Sequence, residues 1–237
     1  MRGKGFTFKQ FHIDHSRCAM KVGTDGTLLG AWAALQSSAN ILDIGTGTGL
    51  IAIMAAQRSP SAQITAIDID KDCVAQARDN ASASPWAERI EVVHSALQDF
   101  QTLHKFDHIV SNPPYFIDSQ LPPDAARSTA RHTATLPFDE LARGVVRLIA
   151  DKGAFSLILP PTEMERFRSA ARGILFTTRE CHVWSTPDSG VKRIMAELRT
   201  EPPAEPPVAE KIIIEAYGRH GYSEEYRRLT QDFYLKF

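Results

Sequence analysis

Apolar positions along this chain come in short runs, each followed by a stretch with helical spacing. Residues 40–44 form a brief apolar run that ends abruptly in glycines. Residues 50–57 follow, rich in Ala, Ile and Met, and read as a helix. The alternation then repeats, with a strand over 64–67, a helix over 70–80, and strands over 90–93, 107–111 and 154–159. Residues 138–149 are amphipathic at the helical period, and 161–172 predict another helix. Ahead of all these, Thr24 reads as the N-cap of a helix through Leu28, Leu29, Trp32 and Leu35. Strands alternating with helices predict an α/β fold built on a doubly wound parallel sheet.

Near the C-terminus the rhythm changes. Residues 181–184 and 193–198 flank Pro187-Asp188-Ser189-Gly190, which predicts an antiparallel hairpin. Pro202, Pro203, Pro206 and Pro207 make a stiff connector, and residues 211–237 carry a β-prone run (Ile212-Ile213-Ile214) and an aromatic tail. The expected organisation is a basic lead-in with a helix over 1–39, a core domain over 40–200, and a Pro-rich connector with an extension over 201–237.

Composition narrows the picture modestly. With 237 residues, 43% hydrophobic and 23% charged, the chain has an ordinary globular make-up and length for one sizeable core. A net charge of −1 means that any nucleic-acid contact must come from local patches. Cys18, Cys73 and Cys181 are widely spaced and form no C-x-x-C pair, so neither a disulfide framework nor a zinc site is expected. The first residues have the charge but not the apolar run of a signal peptide, and no apolar stretch is long enough to cross a bilayer. The expectation is a cytoplasmic protein without a membrane segment.

The strongest local signal is Asp43-Ile44-Gly45-Thr46-Gly47-Thr48-Gly49, between the first core strand and its helix. Gly45, Gly47 and Gly49 allow a sharp turn and let a ligand lie on bare backbone. Asp68 ends the next strand, about 20 residues on, where a carboxylate can accept from both hydroxyls of a ribose. A pyrophosphate-binding turn has the spacing G-x-G-x-x-G. Here the spacing is G-x-G-x-G with a carboxylate just before it, which opposes a pyrophosphate and suits a ligand bearing an ammonium and a sulfonium.

A second signal, Asn112-Pro113-Pro114-Tyr115, follows the strand over 107–111. In a doubly wound sheet that strand would lie beside the first, so both motifs would open onto one crevice at the carboxyl ends. The tetrapeptide has a chemical logic. An exocyclic amino or amide nitrogen is a poor nucleophile because its lone pair is delocalised. A carboxamide oxygen on Asn112 and the carbonyl of Pro113 can each accept one N–H, which turns the lone pair toward an electrophile and favours the growing positive charge. Pro113 and Pro114 fix the backbone that holds these acceptors. Tyr115 offers a face on which an extruded base can stack. Neither a metal nor a general base is required.

The glycine motif resembles that of class I methyltransferases that use S-adenosyl-L-methionine, and Asn-Pro-Pro-Tyr resembles amino-methylating members. The resemblance implies a Rossmann-like fold with a seven-stranded, mostly parallel sheet. It also implies that Asp43 lies near the methionine amino group, that Asp68 holds the ribose and that Ile69 packs on the adenine. The same tetrapeptide occurs in enzymes that methylate a release-factor glutamine, and in other RNA and DNA amino-methyltransferases. The rest of the chain discriminates among these. Phe6-Thr7-Phe8-Lys9-Gln10-Phe11, the stretch from Arg17 to Trp32, Ser84-Pro85-Trp86-Ala87-Glu88-Arg89-Ile90, Tyr222-Ser223-Glu224, and Leu229-Thr230 with Phe233-Tyr234-Leu235 closely resemble the bacterial tRNA adenine-N6 methyltransferases. Those act on the adenine 3′ of the anticodon in a valine tRNA. The resemblance further implies that residues 21–25 close over the methionine end of the cofactor, with Thr24 the leading candidate there. One departure is that relatives carry an acidic residue near Leu97, where this chain has Ser95-Ala96-Leu97, leaving backbone N–H groups around Ala96 and Leu97 as the candidates.

For the RNA itself, Arg2, Lys4, Lys9, Arg17 and Lys21 face only Asp14 in the first 21 residues, interleaved with Phe6, Phe8 and Phe11. This mix suits phosphate contacts and base stacking, though a solvated arm with its phenylalanines in the core would read the same way. Arg127, Arg131 and His132, after the tetrapeptide, are candidates to steer the substrate backbone. A monomer without metal is expected.

Overall fold

The computed structural model of the protein describes residues 5–114 and 136–236. The lead-in forms a small antiparallel hairpin, β1 (Gly5–Thr7) with β2 (His12–Asp14). The helix that follows is α1 (Thr24–Trp32), and Thr24 is its first helical residue rather than its N-cap. The cap is Gly23, extended in backbone, because its carbonyl accepts from both the amide and the hydroxyl of Thr27 at 3.4 and 3.3 Å. Leu35 is buried but lies beyond the helix end.

The core then alternates as expected. In order come β3 (Asn40–Ile44), α2 (Leu50–Arg58), β4 (Gln63–Asp68), α3 (Lys71–Ser82), β5 (Ile90–His94) and β6 (Phe106–Ser111). After these come α4 (Phe138–Leu148), β7 (Ile149–Leu159), α5 (Pro161–Ala170), β8 (Phe176–Trp184) and β9 (Val191–Arg199). Last are β10 (Glu210–Ile213) and α6 (Glu224–Thr230). Asp70 caps α3 as a short acidic side chain does, accepting from the amides of Asp72 and Cys73.

The main sheet has eight strands in the order β10-β8-β9-β7-β6-β3-β4-β5, one more than the resemblance implied. The extra strand is β10, which pairs parallel to β8 from Glu210 opposite Cys181 to Ile213 opposite Trp184. The stretch following the proline connector therefore joins the same sheet as the core. The expected hairpin is present as the antiparallel pair β8 and β9, and β9 also pairs antiparallel to β7. Strands β3 to β7 are mutually parallel where they pair.

Strand order reverses between β3 and β6, so a crevice opens at their carboxyl ends. Each face of the sheet is covered by helices. On one face, residues of α1, α2 and α3 such as Leu28, Trp32, Ile51 and Val74 pack with Ile41, Ile64 and Val110. On the other, Leu141 and Val145 of α4 and Met164 and Phe167 of α5 pack with Leu42, Ile109 and Leu157. A third cluster joins the lead-in to the far end of the chain, with Phe8, Phe11 and Ile13 packed on Ile53, Met54 and Phe233. Among the described residues no helix is long and apolar enough to cross a membrane.

Candidate active site

Three glycines shape the turn from β3 into α2, each in the left-handed region: Gly45 (φ 70°), Gly47 (φ 55°) and Gly49 (φ 81°). Side chains other than glycine's rarely adopt this backbone. A Cβ at Gly45 or Gly47 would meet nothing within 4 Å, so both face open space, whereas one at Gly49 would lie 3.3 Å from the Cβ of Ala77 in α3. The turn is latched onto β4. The amides of Gly45 and Thr46 donate to the carbonyl of Ile67 at 2.9 and 3.0 Å, and that of Gly47 donates to Asp68 Oδ2 at 2.8 Å.

Asp43, at the end of β3, is 1% exposed. Thr46 Oγ1 donates to its Oδ2 at 2.6 Å, while its Oδ1 is buried without a hydrogen-bond partner. Burial pushes the carboxyl up to about 7, against the lowering by the Thr46 hydroxyl. An orphaned, desolvated carboxylate oxygen fits an ammonium donor.

Asp68 is also raised, mainly by burial, although its oxygens accept from the amides of Gly47 and Asp70. A carboxylate has about four lone-pair sites, so acceptor capacity for hydroxyls remains. Beside it the side chain of Ile69 is 53% exposed, which is unusual for so apolar a residue at a strand end. The open glycine face, the orphaned carboxylate, Asp68 and the exposed Ile69 all lie at the carboxyl ends of β3 and β4.

Of the pair Ala96 and Leu97, the side chain of Leu97 turns inward. It is 4% exposed, and a Cβ on Gly144 of α4 would lie 2.5 Å from its Cδ2. The Leu97 carbonyl accepts from Arg147 at 2.7 Å. Ala96 beside it is half-buried.

Asn112 follows β6 directly and is half-buried, with Pro113 buried and Pro114 exposed. Ser111 Oγ donates to the carbonyl of Ile44 at 2.9 Å, which fastens the strand ends carrying the two motifs. The first turn of α1 runs alongside, such that a Cβ on Gly26 would lie 3.9 Å from Asn112 Nδ2. Thr24 is exposed in that same turn. Arg193 of β9 holds the turn in place, donating from Nε to Asp25 Oδ2 at 2.7 Å. Sequence reasoning missed Ser111, Gly26 and the Asp25–Arg193 pair, since nothing local marks contacts made across 67 to 168 residues.

The lead-in residues separate into two groups. Phe8 and Phe11 are buried, so of the interleaved aromatics Phe6, 38% exposed, is the one facing solvent. It packs on Phe8 and Tyr234 at 4.7 and 5.9 Å. Lys9 donates to the carbonyl of Gln231 at 2.6 Å, Arg17 pairs with Asp79 on α3, and Lys21 is exposed. Arg2, Lys4, Tyr115, Arg127, Arg131 and His132 lie outside the described residues. Elsewhere, His108 and Ser156 meet at 2.9 Å but are 2% and 0% exposed, and burial holds the imidazole down at about 3, so they form no nucleophilic pair.

Residues 18–136 match the family described as methyltransferase small domain. Along nearly its whole length the chain is also similar to curated proteins. It is 47% identical to the tRNA1(Val) (adenine(37)-N6)-methyltransferase of Bacteroides thetaiotaomicron, over 97% of each chain. The protein of the same description from Phocaeicola vulgatus is 50% identical, again over 97% of each. The chain belongs to this methyltransferase family. A more distant member from Tolumonas auensis is 44% identical over 100% of this chain and 99% of its own.

Solved structures agree on the fold. A predicted O-methyltransferase from Agrobacterium tumefaciens superimposes with a TM-score of 0.70 at 19% identity, covering 88% of this chain and 96% of that one. The ribosomal protein L11 methylase of Lactobacillus delbrueckii subsp. bulgaricus gives 0.56 at 17% identity, covering 80% and 84%.

Proposed function

We propose that this protein transfers the methyl group of S-adenosyl-L-methionine to the N6 amino group of an adenine in the anticodon loop of a tRNA, the adenine 3′ of the anticodon in a valine tRNA. The observation that carries this reading is near-full-length identity of 44–50% to relatives described by that activity, in a chain that keeps Asn112-Pro113-Pro114-Tyr115 beside the glycine turn.

In this reading Asp43 accepts the cofactor's ammonium group, Gly45, Gly47 and Gly49 give it a bare backbone floor, and Asp68 accepts from the ribose hydroxyls. Ile69 covers one face of the adenine, the backbone at Ala96 and Leu97 meets its edge, and Thr24 closes the methionine end. When bound, the cofactor supplies an electrophilic methyl group on a sulfonium. The chain's part is to prepare the nucleophile. Asn112 Oδ1 and the carbonyl of Pro113 accept the two N6–H bonds, so the lone pair turns toward the methyl carbon and charge growing on nitrogen is stabilised. Pro113 and Pro114 keep those acceptors from rotating, and Tyr115 stacks on the base once it leaves its neighbours. Once methylated, the N6 nitrogen would release its extra proton to water, so no side chain is needed as a base.

Lys9, Arg17 and Lys21 on the described lead-in, with Arg2, Lys4, Arg131 and His132, form the phosphate-contacting set. The protein acts as a cytoplasmic monomer without metal. The lead-in over 1–39, the catalytic domain over 40–200 and the extension over 201–237 serve as one unit. Incubating the purified protein with methyl-labelled cofactor and either bulk tRNA or a release-factor peptide tests the reading. Label is expected in tRNA only, and label confined to the peptide would refute it.

A further inference from the structure

Helix α3 carries a stripe of side chains that hold the lead-in against the glycine turn, and one of them makes both attachments. Asn80 is 4% exposed. Its Nδ2 donates to the carbonyl of Asp14 and to the carbonyl of Thr48, each at 2.8 Å, and its Oδ1 accepts from the amide of Asp14 at 3.0 Å. Thus one buried amide grips both backbone groups at the end of β2 and, with its second N–H, the backbone between Gly47 and Gly49.

The stripe continues one turn at a time toward the N-terminus of α3. Gln76, 1% exposed, accepts through Oε1 from the amide of Arg17 at 3.3 Å and from Ser16 Oγ at 3.4 Å. Next, the buried thiols of Cys73 and Cys18 hydrogen-bond to each other, which pushes the Cys73 thiol up. Residues 73, 76 and 80 follow the i, i+3, i+7 spacing of one helix face. The segment they hold does not end there. His15 Nδ1 accepts from the amide of Val22 at 3.4 Å, which closes 15–22 into a loop whose base rests on α3 and whose exit runs through Gly23 into α1. That first turn of α1 is the one beside Asn112.

We propose that Asn80 is a positioning residue for cofactor binding: it fixes the base of loop 15–22 to the carbonyl of Thr48, so the loop, the glycine turn and α1 form one preorganised enclosure for the methionine end of the cofactor. The inference rests on the cofactor reading given above, and deepens it. An amide is the side chain this junction demands, because it must supply two N–H donors to carbonyls and one acceptor to an amide. Removing it leaves three backbone groups without partners and lets the loop drift from the turn, so the ordering is paid for at binding instead of at folding.

The test is calorimetric binding of S-adenosylhomocysteine to the wild type, Asn80→Ala and Asn80→Asp, with thermal melting and steady-state kinetics on the same preparations. Wild-type binding is the precondition, and its absence would contradict the cofactor reading itself along with this one. The proposal expects Kd and the cofactor KM to rise about tenfold or more in Asn80→Ala, and further in Asn80→Asp, with kcat at saturation changed by less than about threefold. A lowered melting temperature with unchanged Kd would mean a purely structural role and overturn the proposal. Hydrogen exchange on the wild type decides independently of whether the variants fold. S-adenosylhomocysteine should slow exchange at residues 14–22 together with 45–49, and slowing at 45–49 alone would also overturn it.

Discussion

At the residue scale, Asp43 is an acid buried at the end of β3. Its Oδ1 has no partner and its carboxyl sits at about 7. The native state therefore holds a proton, in a window from about 4 to about 7, that the unfolded chain has lost. Stability of the ligand-free protein should accordingly fall as pH rises through that window, and Asp43→Asn should remove the slope, read by denaturant unfolding between pH 5 and 8. Cofactor binding has the opposite sign, since the ammonium prefers the ionised acid. Affinity measured by calorimetry should weaken by up to about tenfold per unit as pH drops below 7, and should be pH-independent, and weaker, in Asp43→Asn. Asn112 answers to a different measurement. Asn112→Ala should cut kcat by about 100-fold or more while leaving the Kd for S-adenosylhomocysteine in place, whereas an equal loss of affinity would move Asn112 from the chemistry to the cofactor pocket.

At the element scale, what the sequence made legible were the features set by local rules. The glycine turn, the strand before it and the Asp at the next strand end follow from backbone freedom and period, and they stand together in the structure. Helix α3 starts at its Asp70 cap as such a residue predicts. Thr24 misled because its side chain has the capping chemistry, but the first intrahelical bonds end on Gly23. Leu97 was singled out because relatives carry an acidic residue near it, and its side chain proves to fill the space that Gly144 leaves on α4. Ser111, Gly26 and Asn80 carry no local signal, since each acts through a partner distant in sequence. Gly49 offers a test at this scale. Gly49→Ala would put a methyl in a left-handed position 3.3 Å from Ala77, so the variant should lose about 1–2 kcal/mol of stability from the backbone alone and bind cofactor more weakly. Unchanged melting would show that the turn relaxes freely.

At the scale of the whole molecule, the two ends of the chain close on the core together. Phe233 is 2% exposed within the cluster that holds Phe8, Phe11 and Met54, and the carbonyl of Phe233 accepts from the Lys9 amide at 2.8 Å. The aromatic lead-in that suggested an RNA-stacking arm is thus largely the floor of a tertiary contact, with Phe6 the one of its three phenylalanines that faces solvent. Truncating Phe233 to Ala should cost about 3–5 kcal/mol by denaturant unfolding, and a cost under about 1 kcal/mol would mean that the tail is merely draped on the surface. A domain-scale consequence is that the lead-in and the glycine turn share a frame. The lead-in loop reaches the glycine turn through α3, and the hairpin of β8 and β9 reaches the first turn of α1, beside Asn112, through Arg193 and Asp25.

The most direct test of the central claim is methyl transfer to an unmodified valine tRNA transcript with S-adenosyl-L-methionine, followed by nucleoside mass spectrometry and mapping of the product. The account predicts N6-methyladenosine at the adenine 3′ of the anticodon, abolished by Asn112→Ala. Cofactor binding without any methyladenosine in that tRNA, or methylation at another base, would contradict it.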